Sequence, residues 1–131
     1  MGQHFAPHEL RLLDVTEEIE IETVRSDTQE LQRATIWVVV VGPHAYVRSV
    51  NGEEGHWYRQ LTANSAGAIY AEDQQIPIRA VPVSDSSIQL QVSEAYRRKY
   101  GLYPQDVAWI IEPTVESTTL RLEPKPASPP S

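Results

Sequence analysis

A chain of 131 residues, 40% of them apolar, has room for one domain with one core, and its formal net charge of −7 argues against a nucleic-acid partner, which needs clustered Lys and Arg. No stretch approaches the ~20 apolar residues of a membrane-spanning helix, and no basic-then-apolar leader opens the sequence, so a cytoplasmic protein without a membrane partner is expected. The lack of cysteine excludes disulfides, thiolate chemistry and Cys-based zinc sites.

Residues 1–16 read as an N-terminal arm carrying Phe5, Leu10, Leu12, Leu13 and Val15. Pro7 suits the first position of a short helix through Leu13, with Leu10 and Leu13 on one face. The arm is expected to pack on the body of the protein or on a partner chain. Glu17 to Arg25 alternates cleanly, with Ile19, Ile21 and Thr23 on one side and Glu18, Glu20 and Glu22 on the other. That pattern predicts a strand with one wet face. The polar Ser26–Gln32 connects it to the next strand, and a hairpin here would bring Arg25 and Arg33 near its mouth.

Thr35 to Val41 is apolar on both faces: Ile36, Val38 and Val40 point one way, Trp37, Val39 and Val41 the other. A single strand covered on both sides is predicted. A small barrel would leave one of those sides exposed, so a homodimer is expected to cover it. Gly42-Pro43 turns the chain, and Ala45–Val50 returns as a second strand. Asn51-Gly52 and Gly55 mark a permissive loop, followed by a short helix over His56–Leu61.

Gly67–Glu72 and Gln75–Val83 read as two strands around a turn at Asp73-Gln74. Pro77 and Pro82 cannot donate to a ladder, which predicts an edge strand or irregular ends. Ser84-Asp85-Ser86-Ser87 starts a helix whose stripe runs through Ile88, Val92, Ala95, Tyr96 and Tyr100. Arg97, Arg98 and Lys99 favour its C-terminal dipole, and Gly101 lies just beyond. Val107–Glu112 and Thr118–Leu122 read as two further strands, with Leu120 and Leu122 inward and Thr119 and Arg121 outward. Residues 124–131 form a Pro/Ser-rich tail expected to be disordered. Residues 17–123 are therefore expected to form one mainly β domain, a six-stranded antiparallel barrel with one firm helix and one or two short ones.

The order of segments resembles a known superfamily. Its carrying residues are Arg25…Arg33-x-Thr35-Ile36-Trp37, Tyr46-Val47-Arg48-Ser49-x-x-Gly52 and Gly55-x-Trp57-Tyr58-Arg59-x-Leu61-x-Ala63-Asn64. Ile78-x-Ala80, Tyr96-Arg97-x-Lys99-Tyr100-Gly101 and Thr118-Thr119-Leu120-Arg121-Leu122 continue it. This pattern resembles the split-barrel superfamily that binds FMN or deazaflavin, within it a bacterial family of unknown function. Related branches are the deazaflavin-dependent nitroreductases and the pyridoxamine phosphate oxidase-like proteins. The resemblance implies a split β-barrel with a cofactor groove at a dimer interface. Carried over by position, Arg33, Thr35, Ser49, Asn51, Trp57 and Arg59 would line that groove, with Arg25 nearby. A phosphate suits Arg and hydroxyl donors, and an isoalloxazine suits a flat aromatic wall. The sequence departs from the pattern in the turn before the central strand, where Asp27 and Glu30 would repel a phosphate.

Each of these residues also has a plainer reading. Arg25 is read as a surface partner of Glu18 to Glu22, and Arg33 as either that or a phosphate clamp. Trp37 is read as core or interface, Trp57 as core or ligand wall, and Arg59 as a ligand contact or a partner of Glu53 or Glu54. His4 and His8 have a ligand-like spacing, but Pro7 interrupts it, and no metal is expected. His56 is read as a helix cap or a proton donor, and no catalytic residue is identified. Two functions follow as expectations. One is a small split-barrel protein binding FMN or deazaflavin, with oxidoreductase-type activity. The other is a non-enzymatic dimeric barrel that binds another small anionic ligand or a protein partner.

Overall fold

The computed structural model describes residues 4–25 and 27–125. Most of the predicted tail, residues 126–131, lies outside the described residues. In chain order the elements are α1 (Pro7–Val15), β1 (Ile19–Val24), β2 (Leu31–Ile36), β3 (Val39–Val41) and β4 (His44–Val47). A 3-10 turn at Gly52–Glu54 precedes α2 (His56–Asn64), β5 (Ala66–Ala71) and β6 (Gln74–Pro82). Then come α3 (Ser86–Lys99), α4 (Pro104–Ile110), α5 (Pro113–Glu116) and β7 (Leu120–Pro124).

The seven strands form one curled antiparallel sheet in the order β2-β1-β5-β6-β7-β4-β3. The expectation of six strands and one firm helix is corrected: among the described residues there are seven strands and five α-helices.

The predicted central strand is two strands. Thr35 and Ile36 end β2, which pairs with β1, and Val39–Val41 form β3, which pairs with β4. These two strands are the opposite edges of the sheet. Trp37 and Val38 carry the chain from one edge to the other. Alternation of faces survives the break, because it is a local property of extended chain. Ile36 and Val38 enter the core on one face with Ile19, Ile21, Val47, Ile69, Ile78 and Leu122. Trp37, Val39 and Val41 enter the core on the other, with Val92, Tyr96, Tyr100 and Ile110. The second face is therefore covered by α3 and α4 of the same chain, which removes the reason for expecting a second subunit there.

The first hairpin follows its pattern. Ile19, Ile21 and Thr23 are buried, and Glu22 faces Arg33 across the ladder. Arg33 thus lies inside the ladder rather than at its mouth. The β3–β4 turn is Gly42-Pro43, and Gly42 adopts φ +59°, a conformation cheap only for glycine.

The strand with two prolines is interior, not an edge. Pro77 is paired with Ala68 of β5, and its carbonyl accepts from the Lys125 amide where the ladder with β7 ends. Pro82 is the last residue paired with β7. Both prolines sit where no amide donor is required of them.

The predicted strand at Val107–Glu112 is also corrected. Pro104 starts α4 and Pro113 starts α5, each near a helix N-terminus. Val107 and Ile110 are buried at helical spacing, beneath α3's side of the sheet. In the last strand Leu120 and Leu122 are buried as expected; Thr119, just before it, is expected outward but is buried and bonded to Gln89 Oε1 of α3 at 2.6 Å.

Helix α1 places Leu13 in the core shared with β1 and β5, and Phe5 joins it. Helix α3 begins on Asp85, whose carboxylate accepts from the Ile88 amide at 3.1 Å. At its other end, α3 repairs the break in the sheet. The Val38 amide donates to Tyr100 Oη at 3.2 Å, and the Val38 carbonyl accepts from Lys99 Nζ at 2.7 Å. Side chains replace the ladder bonds that the crossover cannot form. Among the described residues, no helix is long and apolar enough to cross a membrane.

Candidate functional site

A cavity of about 410 Å³ opens beside the sheet break. Thr35 and Ile36 reach it from the end of β2, and Trp37 from the crossover itself. Arg48, Val50 and Asn51 follow β4, Trp57 lies in the first turn of α2, and Asp106, Trp109 and Ile110 come from α4. Glu18, before β1, completes the rim. Such a volume is within the range of ~300–1,000 Å³ typical of ligand sites.

Ala34 and Trp57 are shared with a second cavity lined by Thr23, Gln32, Arg33, His56 and Gln60. Gln32, His56 and Gln60 are shared in turn with a third, which Arg25 and Arg59 also line. The three make one groove along the β2 edge and α2.

Of the residues predicted for the site, Thr35, Asn51 and Trp57 line the first cavity, Arg33 the second and Arg59 the third. Ser49 lines none of them. It is buried, and its Oγ lies so near Gly55 that a Cβ there would sit 2.4 Å away. Its part is in closing the Gly-rich corner that carries the chain into α2.

The cations differ in how far they are committed. Arg33 donates to Glu22 Oε2 at 3.0 Å and to Glu20 Oε1 at 3.3 Å, with its guanidinium 3.8 Å from the centre of the Tyr70 ring. Hydrogen bonding to Glu22 raises its pKa further. Arg25 makes a two-pronged pair with Asp27, at 3.0 and 2.8 Å, rather than with the glutamates of β1. Among the described residues, the Arg59 guanidinium has no hydrogen bond or ion pair, with Glu53, Glu54 or any other group.

Trp109 was not singled out in the sequence, and Arg48 stood there as one of the residues that carry the resemblance, without a place in the groove. Trp109, from the misread strand, is half exposed and walls the cavity. Arg48 is 2% exposed and also reaches the cavity wall. The available signal was an Arg in the apolar run Tyr46-Val47-Arg48, on the same face as Tyr46.

Trp37 turns one face to Tyr100, with ring centroids 3.8 Å apart and planes within 3°. Tyr103 stands tilted at 5.9 Å and donates to Glu17 Oε1 at 2.6 Å, a bond that pushes its phenol pKa up. Among the described residues, no group of three His, Asp or Glu is disposed to hold a metal ion.

Residues 9–122 match the model of a family described as "Uncharacterized protein conserved in bacteria (DUF2255)". The chain belongs to that family. No curated protein matches it. Among solved structures the family's fold recurs in HutZ, the heme storage protein from Vibrio cholerae. There the TM-score is 0.69 at 15% identity, over 95% of this chain and 93% of that one. An F420-H2 dependent reductase (FDR-A) matches with TM-score 0.61 at 12% identity, over 81% of this chain and 93% of that one. A putative pyridoxamine 5'-phosphate oxidase from Listeria innocua matches with TM-score 0.59 at 14% identity, over 88% and 87%. These likenesses show that the chain shares the fold of those three proteins.

Proposed function

We propose that the groove binds a flat, anionic redox cofactor of the FMN or deazaflavin class and that the protein supports oxidoreductase-type chemistry with it. The supporting observation is the groove's polarity. One end is walled by the indoles of Trp57 and Trp109, and the other ends at the unpaired guanidinium of Arg59. The ring system suits the indole end, where Thr35 and Asn51 offer hydrogen bonds to its polar edge. The phosphate suits Arg59, with Gln32 and His56 alongside. Arg33, held by Glu20 and Glu22, serves as wall rather than clamp. When bound, such a cofactor supplies hydride or electron transfer, while the chain orients it and limits its contact with water.

A homodimer accompanies this reading. Val50 and Trp109 leave apolar surface at the cavity mouth, and a second copy set there would close it. In the second reading, a non-enzymatic barrel for another small anionic ligand or a protein partner, Glu18 and Asp106 at the same mouth favour the protein partner, because carboxylates repel an anion.

The test is titration of FMN and of a deazaflavin, followed by quenching of cofactor and tryptophan fluorescence. Saturable binding in the micromolar range, weakened by Trp57→Ala and by Arg59→Ala, is expected. Lack of binding by folded protein rejects the cofactor. A sedimentation mass of one chain at micromolar concentration rejects the dimer.

A further inference from the structure

We propose that Arg48 is the fixed positive charge that selects what the cavity beside the sheet break holds: a flat aromatic ligand carrying an anionic group at the inner wall. Its guanidinium is fixed by five hydrogen bonds. Nε donates to Thr119 Oγ1 at 2.8 Å, and Nη1 to Ser93 Oγ at 2.9 Å and the Ile110 carbonyl at 3.3 Å. Nη2 donates to the Gln89 carbonyl at 3.1 Å and to Gln89 Oε1 at 2.9 Å. All five N–H groups are satisfied, and every acceptor is neutral.

Among the described residues, Arg48 makes no ion pair. Glu116 is the carboxylate whose charge it feels, without contact, and Arg97 adds charge of its own sign. Buried charges are ordinarily paired, because desolvation is costly. Arg48 is desolvated and unpaired, and it reaches the cavity wall.

The other charges at this cavity do not cancel it. Glu18 and Asp106 are exposed at the rim, where water screens them. A charge inside the protein acts through a lower effective dielectric and projects further into the cavity. Because its donors are already used, Arg48 acts through its field and not by a new hydrogen bond. The field favours an aromatic carboxylate, an enolate, or a ring that becomes anionic on reduction.

The inference rests on reading the groove as a ligand site, but not on the ligand being a flavin. The test compares two flat probes of nearly equal size, naphthalene carboxylate and naphthalene carboxamide, by tryptophan quenching and calorimetry. The wild-type protein should bind the acid about tenfold or more tightly than the amide. Arg48→Gln, checked for fold by circular dichroism, should bring the two affinities together, and Arg48→Lys should keep most of the preference. Equal binding by the wild type, or a preference that survives Arg48→Gln, overturns the inference while leaving the flavin reading standing. If Arg48→Gln does not fold, the wild-type ratio alone decides. Binding of the acid without binding of FMN or deazaflavin upholds the inference and rejects the cofactor. Binding of neither probe overturns the inference, and the titration of FMN and deazaflavin decides the cofactor reading separately.

Discussion

The indole of Trp37 lies flat on the ring of Tyr100, centroids 3.8 Å apart, at the point where the chain crosses from one edge of the sheet to the other. The same tyrosine ties down the crossover's backbone. Its hydroxyl accepts from the Val38 amide and donates to the Glu17 carbonyl at 2.7 Å. Tyr100→Phe keeps the stack and removes the hydroxyl. Leaving buried partners unsatisfied costs about 1–3 kcal/mol, and urea unfolding should show a loss in that range. Near-ultraviolet circular dichroism of Trp37 should survive this change. Tyr100→Leu should lose that signal and cost more, since the ring contact goes as well.

Lys99, one residue earlier, makes the same seam sensitive to pH. Its ammonium donates to the Leu13 carbonyl at 2.8 Å and the Val38 carbonyl at 2.7 Å, and burial pulls its pKa down to about 8 from an ordinary 10.5. Between those values the unfolded chain holds the proton and the folded chain releases it. Stability from this group therefore rises as pH climbs from about 8 towards 10.5, and the penalty is full below 8. The gain between pH 7 and 9.5 should be about 1–2 kcal/mol. It is read as the difference in urea midpoint between wild type and Lys99→Met at each pH. Tyr96 and Tyr100, whose phenols burial holds above their ordinary range, oppose the trend above pH 10 and set the upper limit of the experiment.

What the sequence could and could not reveal follows from the range of the interactions involved. The faces of Ile36 to Val41 were legible because alternation needs only neighbouring residues. The exchange of strand partners at Trp37 was not, because the same alternation fits one strand or two. Ile19, Ile21 and Thr23 were legible on similar grounds, as was the stripe of α3. The run Val107-Ala108-Trp109-Ile110-Ile111 has the composition of a strand. Its helix is set by Pro104, by Pro113 and by the packing of Val107 and Ile110 against the α3 side. That misreading hid Trp109 from the site. Thr35, Asn51 and Trp57 were reached through the family pattern; the glutamates of β1 were one of the two readings of Arg33, whereas Tyr70 was not foreseen because it meets Arg33 only through the pairing of β5 with β1.

Gly67 fixes the distance between β1 and β5. A Cβ there would come within 2.5 Å of the Glu22 carbonyl oxygen and 3.3 Å of Leu61 Cδ1. The first contact is with backbone, which no rotamer change relieves. Gly67→Ala should therefore destabilise the protein by about 1–3 kcal/mol, as overpacking does. Because β1 carries Glu20 and Glu22, the variant should also disturb Arg33 and the wall of the second cavity. A denaturation midpoint equal to that of wild type would show that the strands separate without cost.

Arg33 and Arg59 give opposite predictions for ligand binding. Both line the groove, but Arg33 is already matched by two carboxylates and an aromatic face, while the Arg59 guanidinium has no partner among the described residues. A phosphate at Arg33 would have to compete with Glu22, whose side chain is only 12% exposed. At Arg59 it meets a free donor in water, beside Gln32 and His56. If FMN binds, Arg59→Ala should weaken it by about 1.5–3 kcal/mol, the worth of a hydrogen bond to a charged group, and raising the salt concentration should narrow that gap. Arg33→Ala should leave the affinity nearly unchanged. The reverse ranking, measured by fluorescence titration of the two variants side by side, would place the phosphate at β2 and require Glu20 and Glu22 to release Arg33 on binding.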